Sequence, residues 1–391
     1  CCPHRYLYSQ KKSTDTMKPV RIVSIIPYKV LPAKLGGEKG IAVFNEYVGS
    51  LVPITAITTE SNEVNEAKNY TVINSITDNR IRYINPFLYF RVRKLIRQTN
   101  ASHLLIEHPY FGWLAWLIRH TLRIRWVVHS HNIEYMRSKS IGRWWWKMLM
   151  WYERWVYKSA DKLFFISEDD LEHAITQLAI ERKKSTAITF GIEQATLPGD
   201  IAVQRNIILK KYEIGPETCI MLFNGALYHH TNYDSVTAIV KEINPVLMQS
   251  GINYKIFICG KGLPVSFNDL KDEVDNNIIY AGFVEDISVY FKAADIFLNP
   301  IISGGGVKTK AIEALANNCT VISTEIGALG LNRAVTGDKL QVVADNDWLA
   351  FSKLVIKAVG HHTNIPDAFF DYYYWGNIAK RVVNVLENDH A

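Results

Sequence analysis

Residues 299–324 read NPIISGGGVKTKAIEALANNCTVIST. The apolar run DIFLNP (295–300) leads into this stretch as a strand, Val307–Asn318 carries helical apolar spacing, and Cys319–Thr324 is again apolar. Strand, glycine loop, helix and strand in that order describe part of a parallel sheet, because strands without polar alternation are covered on both faces. The loop Ile302–Gly306 then lies at a strand's carboxyl end and opens a helix. Backbone amides and the helix dipole suit an anion there, and glycines let a ligand approach the backbone closely.

The same alternation continues outward. Strands are expected at 21–28, 54–59, 103–108, 125–131, 162–167 and 185–192, then at 219–226, 254–260, 277–283, 295–300, 319–324 and 340–345. Helical patterns fall at 38–50, 86–99, 231–249, 307–318 and 346–359. Two such series in 391 residues imply an α/β protein with two Rossmann-like, doubly wound parallel-sheet domains facing a central cleft. Periodicity lapses over EQATLPGDIAVQRN (193–206), which marks the boundary. The expected units are 17–196, 205–375 and a C-terminal helix, 376–391, that crosses back to the first domain. Residues 1–16 precede the first Met without periodicity and are read as an added or mis-called extension outside the fold.

The net charge of +6 is unevenly spread: residues 1–195 carry 28 Lys and Arg against 17 acids (+11), and residues 196–391 carry 16 against 21 (−5). A basic first half fits an anionic partner such as a membrane surface, or is simply a solvated basic surface. No apolar run has the length of a membrane span, and the N-terminus lacks signal-peptide order. The five cysteines show neither zinc-site nor disulfide-framework spacing. A reducing, cytoplasmic compartment is therefore expected.

Lys308 and Lys310 place positive charge in a helix's first turn, where the dipole disfavours it. A bound anion would offset that cost; a solvated lysine pair beside a turn is the plain alternative. Glu313 lies on a similar face to Lys310 and suits a ribose diol, although a lone helical Glu is most often a surface residue. Walker A is absent, and CGKGLP (259–264) fails the dinucleotide pattern. SEDD (167–170) and DND (345–347) read as acidic helix starts rather than metal ligands. VVHSHNIE (127–134) ends a strand with His129 and His131 on one side, available for charge stabilisation or proton work. A metal there would need a third ligand that the sequence does not show. LGGEKG (35–40) follows the first strand and fits a ligand-facing loop or a tight connection.

GRWWWKMLMWYERWVYK (142–158) splits on a helix into two stripes, one of Arg143, Lys147, Arg154 and Lys158, the other of Trp144, Met148, Trp151 and Trp155. This fits an interfacial helix on an anionic bilayer. It also fits a helix packed on the sheet with its aromatics in the core, which its place between two strands favours. Nucleic acid is not an expected partner, because no RNP-like or helix-turn-helix signal is present.

GFVEDISVYFKAADIFLNPIISGGGVKTKAIEALANNCTVIST (282–324), with HSHNIEYMRSKSIG (129–142), YERWVYKSADKLFFISEDD (152–170) and FNGALYHHTNYDSV (223–236), resembles glycosyltransferase family 4. These are the GT-B glycosyl transferases of group 1, here of a glycine-rich subgroup. The resemblance spans about 18–388. It implies a retaining, metal-independent hexosyltransferase that moves a sugar from a nucleotide-diphosphate donor to a glycan or lipid-linked acceptor. Bacterial cell-surface polysaccharide synthesis, peripheral to the cytoplasmic face of the membrane, is the implied setting. Glu313 would bind the ribose, Gly304, Gly305 and Gly306 the diphosphate or sugar with Thr309 and Gly225 nearby, and Gly282, Phe283, Val284 and Glu285 the base. His131 would stand beside the transferred sugar, with His129 and Asn132 as secondary candidates. Gly36, Gly37 and Lys39 would close over the donor phosphates and meet the acceptor. Two departures stand out. Gly305 occupies the place of the first acid in the family's paired-Glu motif, and Ala226 and Thr231 fall near the usual Arg and Lys. Lys308 and Lys310 are therefore expected to supply the catalytic charge. A nucleotide-sugar epimerase or hydrolase on the same fold, or a catalytically silent sugar- or membrane-binding protein, are the competing readings.

Overall fold

Short runs without polar alternation become central strands when helices cover both faces of a sheet. The computed structural model describes residues 19–33 and 36–388; residues 1–18, and with them the proposed extension 1–16, lie outside the described residues, as do 34–35 and 389–391. Among the described residues the first domain holds β1 (Ile22–Ile25), β2 (Ile54–Thr59), β3 (Thr71–Ile76), β4 (His103–Glu107), β5 (Arg125–Ser130), β6 (Lys162–Phe165) and β7 (Ser185–Ala187). They pair in parallel in the order β3-β2-β1-β4-β5-β6-β7. Its helices are α1 (Gly36–Gly49), α2 (Leu88–Thr99), α3 (Gly112–Leu122), α4 (Glu134–Ser140), α5 (Trp146–Ser159) and α6 (Glu168–Leu178).

The second domain opens with α7 (Ile201–Lys211). Its strands β8 (Cys219–Asn224), β9 (Tyr254–Cys259), β10 (Ile278–Gly282), β11 (Ile296–Asn299), β12 (Thr320–Thr324) and β13 (Leu340–Val343) pair in parallel as β10-β9-β8-β11-β12-β13. Around them lie α8 (His230–Ala238), α9 (Asn244–Gln249), α10 (Ile287–Ala293), α11 (Thr309–Ala316) and α12 (Trp348–Ala358). The chain ends with α13 (Asp367–Tyr373) and α14 (Trp375–Glu387). Ile192 bridges to Tyr374, and Trp375 stacks edge-on to Phe190 at 5.7 Å. Residues of α1, α11 and α14 consequently share one apolar core that runs through both domains.

Three expectations need correction. The linker is shorter than 193–206, because α7 begins at Ile201. Its apolar residues do not fall on one face, so periodicity missed it; Asp200 and Arg205 tie it to Lys292 and Asp295 at 2.8 and 2.9 Å. The helix expected at 231–249 is interrupted by a π turn at Ile239–Ile243. Pro245 lies two residues beyond its end, and its missing N–H breaks the regular ladder. The aromatic stripe of α5 is not core. Trp144, Met148 and Trp151 are exposed, while Glu153, Val156 and Tyr157 face the sheet.

In each sheet the strand order reverses beside the first strand: β1 lies between β2 and β4, and β8 between β9 and β11. Crevices at such points, beyond the strands' carboxyl ends, are where open parallel sheets bind ligands.

Candidate active site

Asn299 ends β11 and is pinned there, its Nδ2 donating to Ser323 Oγ at 2.9 Å and Gly327 O at 2.8 Å. The glycine loop follows and runs into α11. Gly304 and Gly306 have φ of +86° and +77°, values that glycine reaches without a Cβ clash. Lys308 folds back on the loop, donating from Nζ to the carbonyls of Gly304 (2.9 Å), Gly305 (3.2 Å) and Gly306 (3.2 Å). Lys310 reaches across the switch point and donates to Asn224 O, at the end of β8, at 2.9 Å. Both ammonium groups therefore rest on neutral carbonyls. Burial pushes each down to about 8; for Lys310 the neighbouring Lys308 adds to this and Glu313 opposes it. The lysines, Thr309, Thr231, Ser303 and Asn224 line a cavity of about 270 Å3.

Glu313 lies one turn further along α11. Burial raises its carboxyl above the usual range, and Lys39 and Lys310 work against that rise. The glycine turn at the start of α1 thus meets α11 across the cleft. A Cβ on Gly36 would lie 3.2 Å from Thr309 Oγ1, whereas one on Gly37 would meet nothing within 4 Å. Two helix N-termini accordingly face one space, each with partial positive charge. The turn after β5 closes the other side: a Cβ on Gly306 would lie 2.8 Å from Asn132 Oδ1.

Behind Asn132 stands a buried cluster that sequence reading found only in part. His131 Nε2 lies 2.7 Å and His129 Nδ1 2.9 Å from the same oxygen, Oε2 of Glu107. Glu107 is the third group that the His-x-His pair lacked. It is paired with His129 across the β4–β5 register, a relation invisible in a linear sequence. The three ligand atoms fall within 4.8 Å of one another, so the cluster has the composition of a metal site. His131 Nε2 is hydrogen-bonded to that oxygen, whereas His129 Nδ1 approaches it at 2.9 Å without hydrogen-bond geometry. Burial alone would raise the Glu107 carboxyl, but the two imidazoles outweigh it and hold it well below the usual range. Burial pushes both histidines down, against the pull of Glu107. A further layer supports them. His108 Nδ1 lies 3.2 Å from Glu134, and its Nε2 is 2.8 Å from the Tyr28 hydroxyl. His108 takes φ +68°, a strained backbone for a residue with a Cβ, of a kind that concentrates at functional sites.

The remaining candidates lie on the rim. Gly282 ends the edge strand β10 and Phe283, Val284 and Glu285 follow it; none of the four is among the lining of the 270 Å3 cavity. Gly260 N donates to Gly282 O at 2.7 Å, and Lys261 sits 5.9 Å from the exposed Phe283 ring. A second cavity, of about 670 Å3, lies between the domains against the glycine loop, with Asn132, Met136, Arg137, Ile141 and Asp170 on its first-domain side. The acids of SEDD do start a helix, since Ser167 Oγ accepts from Asp170 N at 3.1 Å. Asp169 also crosses the domains to accept from Gly330 N at 2.9 Å. Asp347 likewise caps α12, accepting from Ala350 N at 2.9 Å.

Gly225 offers a selective test of Lys310. A Cβ there would lie 2.7 Å from Lys310 Nζ and 2.8 Å from Asn232 Cγ. Both are ends of side chains that can move. If the Lys310 charge acts in the reaction, Gly225→Ala is expected to keep the melting temperature close to wild type while lowering turnover about tenfold or more, because it displaces that charge. Unchanged turnover would remove that charge from the mechanism.

Paired parallel sheets with switch-point loops across one cleft define the GT-B class. Similar solved structures include a glycosyltransferase from Rickettsia africae, at 14% identity over 95% of this chain and 99% of that one, with a TM-score of 0.68. Another is Anabaena HepE in complex with UDP, at 10% identity over 94% and 100% of the two chains, with a TM-score of 0.69. Residues 52–195 match the family model described as Glycosyltransferase Family 4, and residues 218–361 match that of Glycosyl transferases group 1. The chain belongs to these group 1, family 4 glycosyltransferases. An uncharacterised 44.6 kDa protein in the cps region of Klebsiella pneumoniae is 27% identical over 265 residues, which is 63% of this chain and 62% of that relative's length.

Proposed function

We propose that this glycosyltransferase moves a hexose from a nucleoside-diphosphate sugar to a glycan or lipid-linked acceptor during synthesis of a bacterial surface polysaccharide. The convergence of two helix N-termini, Lys308, Lys310 and Glu313 on one cleft carries this reading. The cps location of the Klebsiella relative favours the polysaccharide setting. UDP is the first nucleotide to test, because a similar structure holds it.

In the proposed reaction the bond between the anomeric carbon and the diphosphate oxygen breaks. A bond to the acceptor oxygen forms, and the acceptor proton leaves with the diphosphate. Negative charge grows on the departing phosphate, where Lys310 and the loop amides stabilise it. Lys308 holds the loop in shape through three carbonyls. These charges do the work for which other transferases use a metal, so we propose a metal-independent reaction. Configuration is retained by attack on the face from which the diphosphate departs. Glu107 orients His131 beside the sugar through Nε2.

The test is acceptor-dependent release of nucleoside diphosphate, with a matching mass increase in the acceptor, at equal rate in EDTA. Release without acceptor would identify a hydrolase, and an isomerised donor an epimerase. Protonation gives a second check. The free lysines sit at about 8, and an adjacent diphosphate raises them. Binding near pH 8 should therefore take up protons, and affinity should fall from pH 7 to pH 9. Calorimetry in buffers of different ionisation enthalpy measures the uptake; none would contradict the assignment of these lysines to the diphosphate.

A further inference from the structure

We infer that the outer face of the first domain, formed by α2, α3 and α5, docks on an anionic phospholipid bilayer beside the cleft. This surface is separate from the transfer chemistry and does not depend on it.

The crossovers β3–α2–β4, β4–α3–β5 and β5–α5–β6 all advance in the same direction through the sheet, so right-handed connection puts their helices on one face. Their inner sides confirm this, because Val92, Leu114, Val156 and Tyr157 share one core. Each helix starts at the carboxyl end of a strand, which is the cleft end. The outer sides, and the turns that lead into α2 and α5, carry an unusual load of apolar surface. Trp144 is 84% exposed, Phe87 69% and Met148 68%, with Ile84, Phe90 and Trp151 similarly open. Trp116 of α3 meets Trp155 of α5 at 6.2 Å and links the helices across the face.

Apart from Arg119, which is paired with Asp161 just before β6, the charge on this face is unpaired by acids among the described residues and has one sign. Residues 79–160 contain 15 Lys and Arg against three acids, Glu107, Glu134 and Glu153. All three acids are buried. Glu153 turns inward to accept from the backbone of Glu134 and Tyr135 at 2.9 and 3.0 Å. Every exposed formal charge on α2, α3 and α5 is thus positive. Large apolar patches of this kind mark interaction surfaces.

Charge selects the occupant. A second copy docking through the same face would set this positive charge against itself. A bilayer with anionic headgroups satisfies both features, since Trp rings sit at the headgroup level while Lys and Arg meet phosphates. No helix among the described residues is long and apolar enough to cross a membrane, so the contact is lateral. The face runs directly into the 670 Å3 interdomain cavity, because Met136 of α4 and Ile141 at that helix's C-terminal end line it. Docking there sets the cavity mouth at the lipid surface.

Flotation of the full chain with vesicles of phosphatidylcholine, with and without 30 mol% (about one lipid in three) phosphatidylglycerol, tests the proposal. Wild type should float with the anionic vesicles, and 0.5 M salt (a Debye length of roughly 4 Å) should release most of it. Replacing the exposed Arg143, Lys147 and Lys158 with Gln should lower partitioning roughly 100-fold. Trp144→Ser with Trp151→Ser should lower it about tenfold or more at unchanged charge. Both variants alter exposed side chains, and circular dichroism should match wild type. Equal binding to both vesicle types, binding unaffected by either variant, or no binding at all would overturn the proposal. So would a concentration-dependent dimer in sedimentation that the same substitutions dissolve.

Discussion

Lys310→Ala is expected to lower kcat for sugar transfer by about 10²–10³-fold, with a melting temperature close to wild type. Folding has little to lose at this position. The side chain contributes one hydrogen bond, to Asn224 O, worth about 1 kcal/mol, while its burial disfavours the charge that makes the bond. Catalysis has more to lose. Neither Ala226 nor Thr231 carries a charge, so in the proposed reaction charge on the departing phosphate falls to Lys310 and the loop amides. An interaction that strengthens in the transition state shows in kcat more than in KM. Lys310→Met separates charge from packing, because it keeps most of the alkyl chain. It should behave like the alanine variant; a methionine variant with wild-type kcat would show that the side chain acts by filling space.

Glu313→Ala is expected to weaken nucleoside-diphosphate affinity by about 10–100-fold, as loss of hydrogen bonds between a ribose diol and a carboxylate requires. The effect should be specific to the ribose. At the proposed site inorganic pyrophosphate would meet the loop and lysines but not the carboxylate, so its affinity should hold or rise when the neighbouring negative charge is removed. A parallel loss for both ligands, measured by calorimetry, would mean that Glu313 acts on the shape of α11 rather than on the sugar of the nucleotide. The pH response should also shift, since Glu313 opposes the depression of Lys310. Without it the lysine loses its proton at lower pH, and diphosphate affinity should begin its decline earlier.

The parts of this site legible in the sequence are those written in consecutive residues. SGGGVKTKAIE carries its own strand end, glycines, lysines and acid, and it folds as one unit beside β8. Most strands were equally legible because they are continuously apolar. The edge strand β3 was not: Asn74 and Ser75 interrupt it, and it pairs only with β2. Glu107 escaped because its partners lie on the next parallel strand, across a register that only the folded sheet reveals. The aromatic stripe of α5 misled for a different reason. Its inward face includes Glu153, so hydrophobicity pointed to the wrong side of the helix. A buried acid whose oxygens meet two backbone amides and a Tyr hydroxyl is satisfied by geometry, which periodicity does not register.

Calorimetric titration of UDP, GDP, ADP and dTDP into the metal-stripped protein at pH 8 probes the cleft most directly. One of these nucleotides should bind in EDTA with net proton uptake, and Glu313→Ala should weaken that binding at least about tenfold. Absence of binding by all four at millimolar concentration, or binding that neither takes up protons nor responds to Glu313→Ala, would contradict a nucleotide-sugar site at the glycine loop.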